Sequence, residues 1–298
     1  MPQKGIFKGT EISNSALFLE YKIDADVNVT LLKINLQKLK NLENTTINVV
    51  LAFSKKTYAI LNSEHPEGLK DFETLKGVNN LTMPSTQSDL LIWCYSEAKG
   101  DIFDFSFQAN LLLDNLIELK TKEEGFKYHD SRDLMGFVDG SANPLDEERK
   151  DVALLKNNSA HSKGSFVFTQ KWVHDLKSFN NNSEKTQEQI IGRTKKESIE
   201  LEGDAMPLNS HVSRTDVKVK GETMKIFRRS YPFTNGKEHG LFFLGFAKSI
   251  DRFDIQLRRM IGDTEDKVSD RIMEFSDAKT GSYYFAPSEN ELNALLTE

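Results

Sequence analysis

Three short stretches of this 298-residue chain carry side chains whose types and settings could do chemistry. GFVDGSANP, Gly136 to Pro144, sets a single carboxylate, Asp139, between glycines in a loop of turn-forming residues. Asp and Asn favour turns and Gly supplies backbone angles that other residues avoid, so a plain turn is one account and a carboxylate presented to a site is the other. MKIFRRSY, residues 224–231, reads as a strand, and alternation puts Met224, Ile226, Arg228 and Ser230 on one face and Lys225, Phe227, Arg229 and Tyr231 on the other. Arg228 then shares a mostly apolar face and needs a partner, because an unpaired buried charge is costly. An ion pair within the fold or a bound anion or polar substrate would supply one.

The third stretch is NSHVSRTDV, which holds His211, one of six histidines. No second His or Cys stands at zinc-site spacing, neither His-x3-His nor Cys-x2-Cys, so a zinc site is poorly supported. A structural His is one account. A metal that needs one protein ligand is the other, and haem iron held by a single His is the common case. Neither G-x-G-x-x-G nor GK[ST] occurs in a suitable place, which argues against a dinucleotide or phosphate loop.

These residues need elements to position them. Residues 47–53, 89–95, 164–170, 224–231 and 240–247 read as strands, several of them continuously apolar, as in sheets covered by helices. Amphipathic helices are expected at about 25–40, 100–118, 184–191 and 251–261, the last with Phe253, Leu257 and Met260 at spacings of four and three. Ser183 is placed to cap the 184–191 helix. Aligning LIWCYSEAKGDIFD (91–104) with LFFLGFAKSIDRFD (241–254) matches Leu91 to Leu241, Asp101 to Asp251, Phe103 to Phe253 and Asp104 to Asp254, a constant offset of 150. Both segments run from an apolar strand into a helix opened by Asp, which suggests two similar α+β halves. Roughly 119–163, with the charged run LDEERKD, reads as a long connection, and connections of that length are usually functional.

Composition narrows the classes. The chain is 38% hydrophobic and 28% charged, ordinary for a soluble globular protein, with Phe in excess at 20 copies. Its net charge is −6 with both signs interspersed, so nucleic acid is not an expected partner. The one cysteine, Cys94, sits in LLIWCY and is expected to be a buried packing thiol, which suits a reducing cytosol. No signal peptide and no stretch of about 20 apolar residues is visible, so a cytoplasmic protein without a membrane anchor is expected.

In their order along the chain, the three stretches resemble those of the dye-decolorizing peroxidase (DyP-type) family of haem proteins, whose hallmark is a G-x-x-D-G loop followed by Thr or Ser and commonly by Asn-Pro. GSFVFTQKWVHDL at 164–176, IIGRTKKESIEL at 190–201, HGLFFLGFA at 239–247 and TGSYYFAPS at 280–288 are family-like too. The resemblance is dense from about 125 onward and thin before it; Ser141 stands where Thr is commoner. It implies an α+β fold of two ferredoxin-like halves with antiparallel sheets packed together, barrel-like. The N-terminal half would run over about 5–125, a connecting segment over about 126–160 and a C-terminal haem-binding half over about 161–298.

The resemblance makes His211 the proximal ligand of haem b and Asp139 and Arg228 the distal pair, with Ser230 as a polar neighbour. Asp139 would shuttle the proton of hydrogen peroxide and Arg228 would stabilise the charge that develops as the O–O bond breaks. The glycines beside Asp139 would let the loop backbone approach a porphyrin closely. Asp270, in SDRIMEF, is the expected acceptor for the second ring N–H of His211. Arg193, in IGRTK, is expected either on a haem propionate or in a structural ion pair. No Cys-x-x-Cys-His occurs, so the haem would be noncovalent, one per chain. Partners would be hydrogen peroxide and an organic electron donor, and a homo-oligomer is expected. For Trp172, Tyr283 and Tyr284, aromatics that could relay electrons, core packing is the simpler account. A haem-handling protein that binds haem or releases its iron, and a noncatalytic α+β interaction module, are the competing readings.

Overall fold

The computed structural model describes residues 1–9, 12–156 and 160–297. Eight strands carry the fold: β1 Ser15–Lys22, β2 Asn48–Phe53, β3 Leu90–Ser96, β4 Glu118–Phe126, β5 Ser165–His174, β6 Tyr231–Thr234, β7 His239–Ala247 and β8 Ser282–Ala286. The first four pair antiparallel in the order β4-β1-β3-β2, and the last four in the order β8-β5-β7-β6. Both quartets have the ferredoxin-like order in which the fourth strand lies beside the first. Two short seams join them, Phe285 against Phe53 and Phe233 against Gly125, and together they close the ring into a barrel.

Period-2 alternation explains how so apolar a sequence fills both sides of this wall. One face of the strands packs the barrel interior with Phe18, Val50, Trp93, Tyr95, Val167, Phe233, Phe242, Leu244 and Tyr284. The other face carries Leu17, Leu19, Leu51, Ile92 and Phe168 outward into a second core. Over the first quartet that outer core is covered by helices α1 (Val29–Lys40) and α2 (Lys99–Leu113), which pack together. Over the second quartet α5 (Asp251–Met260) covers part of the sheet. The long excursion between β5 and β6, carrying α3 (Glu184–Ile191) and the short α4 (His211–Thr215), bounds the remainder.

Several sequence expectations need correction. The stretch 119–126 belongs to β4, not to a connection. Its residues are mostly charged, with no apolar run, because much of this strand is exposed. Strands β1 and β8 lie where the sequence pattern suggests no strand. Residues 224–231 are not one strand: Phe227–Arg228 pairs with β7, the ladder is interrupted at Arg229 and Ser230, and β6 begins at Tyr231. α2 ends at Leu113, where Asp114 takes extended angles. The offset of 150 puts Leu91, which faces the barrel interior, on Leu241, which faces out, and a slip of one residue reverses every side chain of a strand. Sliding by one more residue restores the faces, matching Leu91 to Phe242, Trp93 to Leu244 and Ile102 to Phe253. Cys94 is buried and free, and burial pushes its thiol well above the ordinary value. Among the described residues no helix is long and apolar enough to cross a membrane.

Candidate active site

The outer face of the second quartet, which helices would otherwise fill, encloses a cavity of about 570 Å³. That volume lies in the range of small-molecule and cofactor pockets. Its floor is a row of alternate β5 residues, Phe168, Gln170, Trp172 and His174, flanked by Leu241 and Phe243 of β7. α5 contributes Phe253, Leu257 and Met260, the stripe read from the sequence, and the GFVDGSANP loop with Ile226 and Arg228 closes another side.

His211 opens α4 and lines this cavity. The helix is short, so its placement depends on tertiary bonds. Ser210 caps it by accepting the Ser213 amide, and the buried Arg214 guanidinium reaches Asp266 at 2.8 Å and the Arg259 carbonyl at 3.1 Å. Arg259 returns two bonds, to the carbonyls of Arg214 and Ser213. The His211 Nδ1 lies 2.7 Å from Oδ2 of Asp270, which is wholly buried and whose Oδ1 accepts the Ile272 amide. A carboxylate accepts, so Nδ1 carries the hydrogen and Nε2 keeps its lone pair, with no hydrogen-bond partner among the described residues.

One other histidine, His174, lines the cavity, and it differs in the decisive respect. Its Nε2 is 3.1 Å from Asp133 Oδ2 and its Nδ1 is 2.7 Å from Ser276 Oγ, so neither ring nitrogen is left for a metal. Burial alone would raise the Asp133 carboxyl. The interaction with His174 and bonds from the Met135 and Leu134 amides outweigh it and hold the carboxyl below its ordinary value. Among the described residues no group of three or more His, Cys, Asp or Glu could hold a metal ion. Of the two cavity histidines, His211 is the one with a ring nitrogen left unengaged among the described residues.

Asp139 and Arg228, 89 positions apart in sequence by their residue numbers, meet at the cavity with Oδ1 and Nε 3.9 Å apart. Both side chains are about four-fifths buried, at 23% and 21% exposed. Arg228 Nε is buried without a hydrogen-bond partner, an arrangement that costs about 1–3 kcal/mol unless something bound there satisfies it. The loop holds Asp139 through its backbone. Gly136 and Gly140 sit at φ +92° and +78°, angles that favour Gly, and the Asp139 amide donates to the Ser131 carbonyl. These glycines are explained by the turn itself, not by contact with the cavity, which neither of them lines.

The remaining expected residues divide. Arg193 lines the cavity, and its guanidinium binds Glu200 at 2.6 Å and the Ser198 carbonyl at 2.9 Å. Ser230 does not line the cavity; its Oγ accepts the Leu244 amide at 3.3 Å where the ladder is interrupted. Arg229 points the other way, into the barrel, over the rings of Trp93 and Tyr95. Tyr283 and Tyr284 are buried, donating to Asp254 at 2.5 Å and to Glu20 at 3.0 Å, and Trp172 lies on the cavity floor. Sequence reasoning passed over Asn143, whose amide pairs with the backbone of Arg228, and over the His174–Asp133 pair. Asn143 stood in the quoted motif, but its partner is 85 residues away and no local pattern marks it.

The residues present fit a haem. The walls are mostly apolar in area, His211 Nε2 has no hydrogen-bond partner among the described residues, two charged side chains meet in the cavity, and Gln170 adds a wholly buried amide with neither end hydrogen-bonded.

Comparison with known proteins gives a concordant result. The chain matches the family described as Dyp-type peroxidase, N-terminal, over residues 3–127 and that described as Dyp-type peroxidase, C-terminal, over residues 130–291. It is 34% identical over 228 residues to a dye-decolorizing peroxidase of Mycobacterium tuberculosis, covering 75% of this chain and 68% of that protein. A solved putative dyp-type peroxidase from Shewanella oneidensis superposes with a TM-score of 0.90 at 30% identity, covering 98% of each chain. A variant of DypB from Rhodococcus jostii RHA1, solved in complex with heme, superposes with a TM-score of 0.89 at 31% identity, over 99% of this chain and 100% of that one.

Proposed function

The chain belongs to the Dyp-type peroxidase family, and from that premise we propose that its cavity binds one noncovalent haem b and uses hydrogen peroxide to oxidise organic reductants such as dyes and phenols. The observation that carries this reading is the asymmetry of the two cavity histidines: His174 has both nitrogens engaged, whereas His211 is held by a buried carboxylate with Nε2 free. A bound haem supplies the redox iron that coordinates peroxide and takes up its oxidising equivalents. His211 Nε2 would hold that iron, and Asp270 fixes the tautomer and raises the basicity of the ring.

The Asp139 carboxylate accepts the proton of the inner peroxide oxygen and returns it to the outer oxygen as that atom departs in water. Arg228 stabilises the negative charge that builds on the departing oxygen, in a cavity whose apolar walls keep bulk water from weakening the interaction. A protein that only carried haem would have no use for this charged pair, which favours the peroxidase over the haem-handling reading. Arg193 is proposed for a haem propionate, exchanging or sharing Glu200. Ser230 accepts the Leu244 amide and still has its hydroxyl hydrogen to donate, which is what a distal role would use. The protein is proposed to be a cytoplasmic homo-oligomer whose two halves, about 5–125 and about 161–298, are linked by a connecting segment over about 126–160.

Haem titration of the apoprotein tests the reading. One equivalent should complete a Soret band in the wild type. Saturation at another stoichiometry, or no band, would contradict it.

A further inference from the structure

Asp139 and Arg228 are joined by a third side chain. Asn143 turns its amide onto the backbone of Arg228: Nδ2–H donates to the Arg228 carbonyl at 2.9 Å, and Oδ1 accepts the Arg228 N–H at 2.9 Å. A side-chain amide here pairs with a backbone residue as a neighbouring strand would. The Asn143 backbone N–H also donates to the Gly140 carbonyl at 2.8 Å, closing a turn that starts directly after Asp139. That turn is packed tightly, since a Cβ on Gly140 would come within 3.0 Å of Asn143 Nδ2. The carboxylate loop and the arginine backbone are thus one clamped unit.

The clamp matters because of the gap it spans. At 3.9 Å the Asp139 Oδ1 and Arg228 Nε are too far apart to hydrogen-bond, and Nε is buried without a partner. Opposite charges on untethered side chains would close to a direct contact of about 2.7–2.9 Å. An oxygen atom set between the two groups reaches both at ordinary hydrogen-bond lengths. We propose that Asn143 is a positioning residue, holding Asp139 and Arg228 at a separation that admits one oxygen of hydrogen peroxide between them. This inference rests on the peroxidase reading and adds to it a residue that acts through the distal pair.

The test is the second-order rate constant for peroxide, by stopped flow on haem-loaded wild type, Asn143→Ala, Asp139→Asn and the double variant. Asn143→Ala should slow the reaction roughly tenfold or more, as misplaced reacting groups do. Its haem spectrum and its KM for a reducing dye should not change. The double variant should be no slower than Asp139→Asn alone, since without the carboxylate there is no Asp139–Arg228 separation left to hold. Asn143→Ser, which keeps a hydroxyl for one of the two bonds, should fall between, and it is read in the same cycle if Asn143→Ala does not fold. An Asn143 variant that reacts at the wild-type rate, or that slows Asp139→Asn by the factor it slows the wild type, overturns the inference and leaves the peroxidase reading intact. A haem-loaded wild type inert to peroxide overturns both.

Discussion

At the scale of residues, the site depends on which polar atoms the fold leaves unengaged. His211→Ala is expected to lose the Soret band at stoichiometric haem, whereas His174→Ala should keep a normally ligated haem, because His174 has no nitrogen to offer. Asp270→Asn should bind haem about 10- to 100-fold more weakly in titration, the usual cost of losing the group that orients a metal-binding His. Asp139→Asn and Arg228→Leu should retain haem and react with peroxide about a hundredfold more slowly, measured under pseudo-first-order conditions. His211, Asp139 and Arg228, which all line the cavity, stood out as candidates because each sits in a short motif with a recognisable neighbourhood. Asn143 and the His174–Asp133 pair were not, since a hydrogen bond across tens of residues leaves no trace in local spacing.

At the scale of elements, two strands that bury both faces were easy to read, whereas β1 and β8, equally buried, and the exposed β4 were not. Asn48–Phe53 and Leu90–Ser96 are continuous apolar runs. Glu118–Phe126 carries Lys and Glu because much of it faces water, so its sequence imitates a loop. Strand β1 hides a more specific feature. Glu20 is wholly buried, with Oε1 accepting from Thr169 Oγ1 at 2.6 Å and Tyr284 at 3.0 Å and Oε2 without a partner. Burial raises its carboxyl above the model-peptide value of 4.5, against the opposing effect of those hydrogen bonds. A carboxyl raised on folding stabilises the folded state below the unfolded value and loses that contribution as pH climbs through the folded value. Glu20→Gln should therefore gain on the wild type as pH rises above about 4.5. The gain should be about 1.4 kcal/mol for each unit by which folding raises the carboxyl, read as the difference in denaturant unfolding free energy.

For the whole molecule, two quartets of the same strand order share one barrel interior, and the difference between them lies outside the barrel. Helices α1 and α2 cover the first quartet. Over the second, α5 and the long excursion leave room for a ligand, so two quartets with one strand order yield one site. The sequence showed a repeat, but identities drew it one residue out of register; only burial on the two faces of each strand corrects the alignment. Closure rests on the seam at Gly125, where an added Cβ would lie 2.4 Å from the Cβ of Tyr231. Gly125→Ala should cost about 1–3 kcal/mol of unfolding free energy and lower a single cooperative transition, because the halves share a core. Two separate transitions in calorimetry would show instead that the quartets fold independently.

The central claim is that His211, Asp139 and Arg228 make this cavity a peroxidase centre. The measurement that meets it most directly is stopped-flow absorption of the haem-loaded protein mixed with one equivalent of hydrogen peroxide. A Soret band that shifts within the mixing experiment and returns when a reducing dye is added is the predicted result. A bound haem whose spectrum peroxide leaves unmoved, or one that loses its iron without peroxide, would contradict the claim and make the cavity a place where haem is held or dismantled.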